Sequence, residues 1–200
     1  MAEKLMTGEL TNEEVLKIFA DCGGLLEGHF QLTSGRHSDK YMQCAKLFIE
    51  PDKAEKLCAA LCRKLKGFKI DVVASPAVGG IIMGYIMAKH LGVKNVFAER
   101  VDGKMTFRRG FEINKGQKVL VVEDVVTTGG SVREVAELCK ECGATVSAIA
   151  SVVDRSNGQV DFGLPYRALL TMDVTSYEAA DCPICKTGAP VVKPGSRALK

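Results

Sequence analysis

Two adjacent carboxylates, Glu123 and Asp124, stand three residues before a run of small hydroxyl and glycine residues, Thr127-Thr-Gly-Gly-Ser131. Upstream, the short apolar run Val119 to Val122 follows Asn114-Lys-Gly-Gln117. Its length and β-branching suit a strand buried on both faces of a parallel sheet, which would deliver the acids at its solvent-facing carboxyl end. Downstream, Val132, Val135, Ala136 and Leu138 recur at helical spacing. A strand, a small-residue loop and a helix N-terminus together make an anion site, because free backbone N–H groups and the helix dipole point the same way. Glycine lets the backbone approach a phosphate closely, and the hydroxyls of Thr127, Thr128 and Ser131 add donors. Carboxylates repel a phosphate, so two of them beside a pure phosphate cradle would work against binding. They make sense if the ligand also carries hydroxyls, since an ionised carboxylate is an acceptor that suits a ribose diol. The stretch therefore reads as a site for a phosphorylated sugar, against the plainer alternative of a βα turn with an acidic cap.

Other segments could supply further groups. Ser75-Pro-Ala-Val-Gly-Gly80 lies between a second buried strand, Ile70 to Ala74, and an apolar helix, Ile81 to His90. It could hold a second anion or be a structural turn. Glu99 to Gly110 is a basic stretch without helical period. It reads as an exposed hairpin or as a mobile lid bringing Arg100, Lys104, Arg108 or Arg109 onto a polyphosphate, with only Glu99 and Asp102 as evident acidic partners. The polar loop Thr33 to Asp39 could hang over a ligand or be a solvated turn. Nucleotide motifs are missing: no Gly-x-Gly occurs, and Gly79 to Gly84 has the Walker spacing but continues with Tyr85 in place of lysine. No Ser-His-Asp or Cys-His arrangement is evident among three histidines, and His90 reads as structural near a helix C-terminus.

The elements that must position these groups alternate. Thr11-Asn-Glu-Glu14 predicts a capped helix start, with Val15, Ile18 and Phe19 on one face and an end near Gly23-Gly24. Two short strands follow, Leu26 to Leu32 and Lys40 to Cys44, then a helix over Pro51 to Leu65. Val93 to Ala98 and Thr145 to Val153 read as buried strands, Val132 to Cys142 as a helix ended by Gly143, and Tyr166 to Leu170 as an edge strand. The tail from Cys182 is irregular. This order implies an α/β fold, a mostly parallel central sheet with helices on both faces, with the phosphate-suited loops at the carboxyl ends of strands.

The 200 residues suffice for one α/β domain with a sizeable core, and 46% hydrophobic with 26% charged residues is ordinary for a soluble protein. A net charge of +3 is too weak to argue for nucleic acid or an anionic membrane. There is no apolar run of membrane-spanning length and no signal-peptide layout, which predicts a cytoplasmic protein. In a reducing compartment the eight cysteines should be packed thiols. Cys139-Lys-Glu-Cys142 and Cys182-Pro-Ile-Cys185 have the spacing for a four-thiolate zinc site, but the first pair falls in a helix and neither has a local knuckle, so no metal ligands are expected from the protein.

The apolar strand, acid pair and Thr/Gly-rich loop closely resemble the phosphoribosyl-pyrophosphate (PRPP) motif of the type I phosphoribosyltransferases. Leu32-Thr-Ser-Gly-Arg-His-Ser-Asp-Lys-Tyr41, Ser75 to Gly80, Glu99-Arg100 with Lys104, and Val153-Asp-Arg-Ser156, in that order, narrow the resemblance to the orotate phosphoribosyltransferases. It runs from the first helix to Lys193-Pro-Gly-Ser-Arg197 and so covers most of the chain. What it implies is a single phosphoribosyltransferase domain over 1–200, with a core over about 51–170 and a small hood made by about 1–50 and the C-terminal tail. It implies transfer of ribose 5-phosphate from PRPP to orotate, giving orotidine 5′-monophosphate and pyrophosphate, with Mg²⁺. By position, Glu123, Asp124, Val125, Val126, Thr127, Thr128, Gly129, Gly130 and Ser131 would hold PRPP, Arg100 and Lys104 its pyrophosphate, and Thr127 and Arg155 orotate. Lys104, Arg100 and Asp124 would be catalytic. It also implies a homodimer in which the loop 99–110 reaches the neighbouring site. The chain departs from the family's usual residues at Thr33, Val101 and Thr106, which weakens the catalytic assignment of the loop more than PRPP binding. The alternatives are a purine-base phosphoribosyltransferase, which would not need Arg155, and a non-catalytic PRPP-sensing regulator, for which no DNA-binding helix pair is evident.

Overall fold

The computed structural model describes residues 9–32, 34–172 and 175–194. Its centre is a six-stranded sheet in the order β5-β4-β3-β6-β7-β8. The strands are β3 (Val72–Pro76), β4 (Lys94–Val101), β5 (Lys104–Phe107), β6 (Lys118–Val126), β7 (Thr145–Asp154) and β8 (Tyr166–Thr171). All neighbours run parallel except β4 and β5, which pair as an antiparallel hairpin at one edge. The lone hairpin blunts that edge, and β8 closes the other.

Alternation along the central strands divides the core in two. Val73, Leu120, Val122, Ala148, Ala150 and Val152 pack on one face with helices α2 (Pro51–Arg63) and α3 (Gly80–Leu91). Val72, Ala74, Val119, Val121, Val146 and Ile149 pack on the other with α4 (Gly130–Glu141), through Val132, Val135, Ala136 and Cys139. Successive side chains point to opposite faces, so a strand covered on both sides must be apolar throughout. The chain leaves β3 through α3 toward β4 on one side, and leaves β6 through α4 toward β7 on the other. The sheet order thus reverses between β3 and β6, the topological switch point at which open α/β sheets leave a crevice outside their carboxyl ends.

Helix α1 (Asn12–Asp21) begins with a reciprocal cap: the Glu14 N–H donates to Thr11 Oγ1 at 3.2 Å and the Thr11 N–H donates to Glu14 Oε2 at 2.8 Å. It leads into a separate antiparallel hairpin, β1 (Leu25–Gln31) with β2 (His37–Met42). Strand β2 starts earlier than the sequence pattern implies, at His37, because His37, Ser38 and Asp39 are pulled into the ladder and the polar loop shrinks. The Tyr177 and His37 backbones exchange N–H···O bonds of 2.8 Å, and the Gln31 N–H donates to Val192 at 2.9 Å. Arg36 adds bonds to Ser176 Oγ at 2.8 Å and to the Ser176 carbonyl at 2.6 Å, and an ion pair with Glu178. The C-terminal segment is therefore strapped across the hairpin, and the end of Lys193 to Arg197, beyond residue 194, lies outside the described residues, as does Thr33.

Candidate active site

Strand β6 does not end before the acids. It runs on to Val126, so Glu123 and Asp124 lie within the ladder, Asp124 only 8% exposed. The expectation of two acids presented to solvent at the strand's end is corrected here. Pairing with β7 continues through Val126↔Asp154, and that ladder holds the strand past its apolar run. Burial raises the pKa of both carboxyls, and Asp124 beside it raises Glu123 further. The Val125 N–H donates to Asp124 Oδ1 at 2.8 Å, which fixes that side chain without neutralising it. Two largely desolvated acids side by side are an arrangement that gains from hydroxyl donors or a cation.

The loop Thr127 to Gly129 turns from β6 into α4. Gly129 is the N-cap residue at φ 75°, in the left-handed region, and no side chain caps the helix. A Cβ there would stand 2.7 Å from Phe162 Cε1, so the turn demands glycine on both counts. The first-turn N–H groups are thus left without a capping side chain, free to meet an anion. Between β3 and α3, a Cβ on Gly79 would lie 2.9 Å from Asp124 Oδ1, so glycine is what lets that loop close onto the acid.

Arg155 reaches the same place from the end of β7. Its N–H donates to the Val126 carbonyl at 2.8 Å. The turn behind it is built by Asp154, whose Oδ1 accepts from the Ser156 N–H at 2.8 Å and the Ser156 hydroxyl at 2.6 Å, and whose Oδ2 accepts from the Gly158 N–H at 3.1 Å. The Arg155 Nε is buried with no hydrogen-bond partner among the described residues. A cleft of about 640 Å³ is lined by Leu32, Ser34, Glu123, Val125 to Val132, Glu134 and Arg155. Glu134 was not singled out from the sequence. Its place one turn into α4, just after the Thr/Gly-rich loop, is the only signal the sequence offers.

The basic segment is the β4–β5 hairpin. Its positive charge is less available than the sequence implies. Arg100 pairs with Glu134 at 2.8 Å, and Arg109 pairs with Glu99 through Nε at 2.9 Å and Nη2 at 3.0 Å. These bonds raise the pKa of both arginines and lower that of Glu99. Through Glu134, Arg100 is tied to the cleft wall. Lys104 does not line the cleft, and neither it nor Arg108 forms an ion pair within 4 Å among the described residues.

The two Cys-x-x-Cys pairs do not come together. Cys139 is buried in the α4 core, where burial raises its thiol to about 12, and Cys142 caps that helix. Cys182 and Cys185 instead converge with His29 and His37 under the strap. Packing accounts for Cys58, also raised to about 12 by burial, but not for this second pair.

Comparison with known proteins agrees with this geometry. The phosphoribosyl transferase domain family matches residues 49–167. An orotate phosphoribosyltransferase of Caldanaerobacter subterraneus subsp. tengcongensis is 52% identical over 190 residues, spanning 95% of this chain and 100% of that protein. The Thermotoga maritima orotate phosphoribosyltransferase is 50% identical, over 93% of this chain and 100% of its own. Among solved structures, the Aeropyrum pernix orotate phosphoribosyltransferase superposes with a TM-score of 0.67 at 25% identity, covering 79% of this chain and 93% of that one. The fold also matches a Saccharomyces cerevisiae adenine phosphoribosyltransferase, TM-score 0.61 at 20% identity over 78% of this chain and 99% of that one. With its acid pair, its open helix N-terminus and half-identical relatives along nearly its whole length, the chain belongs to the phosphoribosyltransferases and, among them, to the orotate phosphoribosyltransferase family.

Proposed function

We propose that the protein joins N1 of orotate, which gives up its proton, to the anomeric carbon of PRPP, breaking that carbon's bond to pyrophosphate and giving orotidine 5′-monophosphate. The observation that carries this reading is the cleft in which Glu123, the uncapped N-terminus of α4 and Arg155, with its unpartnered Nε, meet, while Asp124 is buried beside Glu123 just outside the lining. Thr127 to Ser131 receive the 5-phosphate on backbone N–H groups and hydroxyls. Glu123 and Asp124 accept from the ribose hydroxyls, and the positive charge that develops on the sugar as pyrophosphate departs is stabilised by the same carboxylates. Thr127 and Arg155 read the base, Arg155 by a bidentate grip on the orotate carboxylate.

Mg²⁺ is a hard ion that takes oxygen ligands and is commonly held by one or two carboxylates together with substrate phosphates. Glu123 and Asp124, whose crowded burial favours a cation nearby, are the donors that fit it. Held there, the ion would supply neutralisation of charge on the departing pyrophosphate. Arg100 and Lys104 serve the same end, Lys104 from a hairpin that a second copy would bring over the cleft. Support for a second copy comes from Val78, Ile82 and Tyr85, which expose 82%, 49% and 64% of their surface at the start of α3. No helix among the described residues is long and apolar enough to cross a membrane, and the reading is of a cytoplasmic enzyme of pyrimidine synthesis.

The test is the loss of orotate's ultraviolet absorbance in mixtures with and without PRPP and Mg²⁺. Orotate consumed only in the complete mixture is the expected result. Orotate untouched while adenine or hypoxanthine is converted would transfer the enzyme to the purine bases. PRPP bound with no base converted would make it a sensor.

A further inference from the structure

Four donor atoms from distant parts of the chain converge beneath the strap: His29 Nε2, His37 Nδ1, Cys182 Sγ and Cys185 Sγ, all within 4.8 Å of one another. We propose that these four residues form a closed structural zinc site that clamps the C-terminal segment to the β1–β2 hairpin. The site is separate from the cleft and does not rest on the reading given above.

The local structure aims each donor. The β1–β2 register shifts between Glu27 and Phe30, and this irregularity breaks the alternation so that His29 and Phe30 are both buried. His29 is thereby turned toward His37 on the facing strand. The His29 Nδ1 lies 2.9 Å from the Ala189 carbonyl, a pure acceptor, so Nδ1 carries the proton and Nε2 presents its lone pair to the cluster. A carbonyl behind a ligating imidazole is the usual outer partner that fixes ring and tautomer at metal sites. Cys182 and Cys185 arrive on the strap at the two-residue spacing that lets one turn deliver two sulfurs.

The separations decide between a metal and a chance cluster. Around tetrahedral zinc, Zn–N of about 2.0–2.1 Å and Zn–S of about 2.3 Å put nitrogen and sulfur ligands roughly 3.5 Å apart. His29 Nε2 is 3.6 Å from Cys182 Sγ and 3.6 Å from Cys185 Sγ, and Cys185 Sγ is 3.3 Å from His37 Nδ1. The two nitrogens, at 2.9 Å, would open by a few tenths of an ångström. A ring of two nitrogens and two sulfurs in tetrahedral array selects zinc. Two thiolates cancel the ion's double charge, so the unit is neutral where His29, His37 and Cys182 are 4%, 6% and 0% exposed, with Cys185 closing it on the exposed side. With four protein donors there is no open position for catalysis. The effect on the enzyme is indirect: the loop joining β1 to β2 carries Leu32 and Ser34 into the cleft wall.

The test is elemental analysis of tag-free protein from zinc-supplemented cells, dialysed without chelator. Stoichiometric zinc is expected in the wild type and in Cys142→Ser, and none in the double variant Cys182→Ser with Cys185→Ser. If that variant fails to fold, wild-type protein refolded with cobalt still reports, because thiolate-to-cobalt charge-transfer bands and intense tetrahedral ligand-field bands are expected. Zinc well below one equivalent together with no cobalt spectrum overturns the proposal. So does a Cys182–Cys185 disulfide in freshly purified protein, or zinc that is lost only from Cys142→Ser.

Discussion

A guanidinium with a buried, unpartnered Nε and two crowded carboxyls are individually unfavourable, and each becomes favourable with a ligand. Arg155 is the sharper case. Lysine keeps the charge but cannot grip a planar carboxylate with two parallel bonds. Arg155→Lys should raise the orotate KM about 10- to 100-fold, the equivalent of one lost charge-assisted bond, while calorimetry with PRPP finds nearly unchanged affinity. Wild-type enzyme that accepts uracil as readily as orotate would show that no carboxylate is being read. Glu123 makes a prediction of opposite sign for stability. Its folded pKa is raised by burial and by Asp124. Above the unfolded carboxyl range the native state therefore binds more protons, and stability falls as pH climbs toward the raised value. Glu123→Gln should remove that dependence. In the ligand-free protein its melting temperature should exceed that of the wild type by about 2–4 °C per kcal/mol gained, with the gap widening from mildly acidic to mildly alkaline buffer. The same variant should bind PRPP more weakly. A gap that narrows as pH rises would refute the burial argument.

At the scale of elements, the turn from β6 into α4 carries two glycines with different duties. Gly129 sits at φ 75° against Phe162, whereas a Cβ on Gly130 would find only Thr128 Oγ1 at 3.8 Å. Gly129→Ala should cost about 1–2 kcal/mol in urea unfolding from the left-handed backbone alone, and Gly130→Ala much less. Equal losses would mean that the turn is set by something other than this backbone. Much of the scaffold around the turn was legible because it follows local rules. The Thr11 to Glu14 cap, the apolar run before the acids, the helix of Val132, Val135 and Ala136, and the edge position of β8 all appear where periodicity puts them. The misread parts depend on pairing across the chain. Only the β7 ladder keeps Glu123 and Asp124 inside β6, only the hairpin and α4 give Arg100 its Glu134, and only the strap brings Cys182 to His29. No spacing along the sequence encodes such partners. The candidate cleft was legible in Glu123, its glycines and Arg155, while Glu134 and Leu32 needed the fold, and Asp124 lies outside its lining.

For the whole molecule, Lys104 poses the question of whose cleft it serves. It stands on the β4–β5 hairpin, outside the lining of its own site. If a second copy supplies it, Lys104→Ala and Asp124→Asn subunits, each inactive alone, should recover up to about a quarter of wild-type sites' activity when mixed and allowed to exchange, since binomial pairing leaves one intact site in half the dimers. Exchanged dimers as inactive as their parents would place the lysine in cis. The strap has a consequence of another kind, for the order of assembly. Arg36 waits for Ser176 and His29 for Ala189, partners 140 and 160 positions later in the chain. During synthesis the hairpin emerges long before its strap, which follows only after β8 has completed the sheet at Thr171. Closing so long a loop is left until its ends are held by a finished body, which reduces the entropy still to be lost. The nascent chain thus has a folded floor before it has a roof, and the wall that Leu32 and Ser34 give the cleft is set only when the final stretch of the described chain leaves the ribosome.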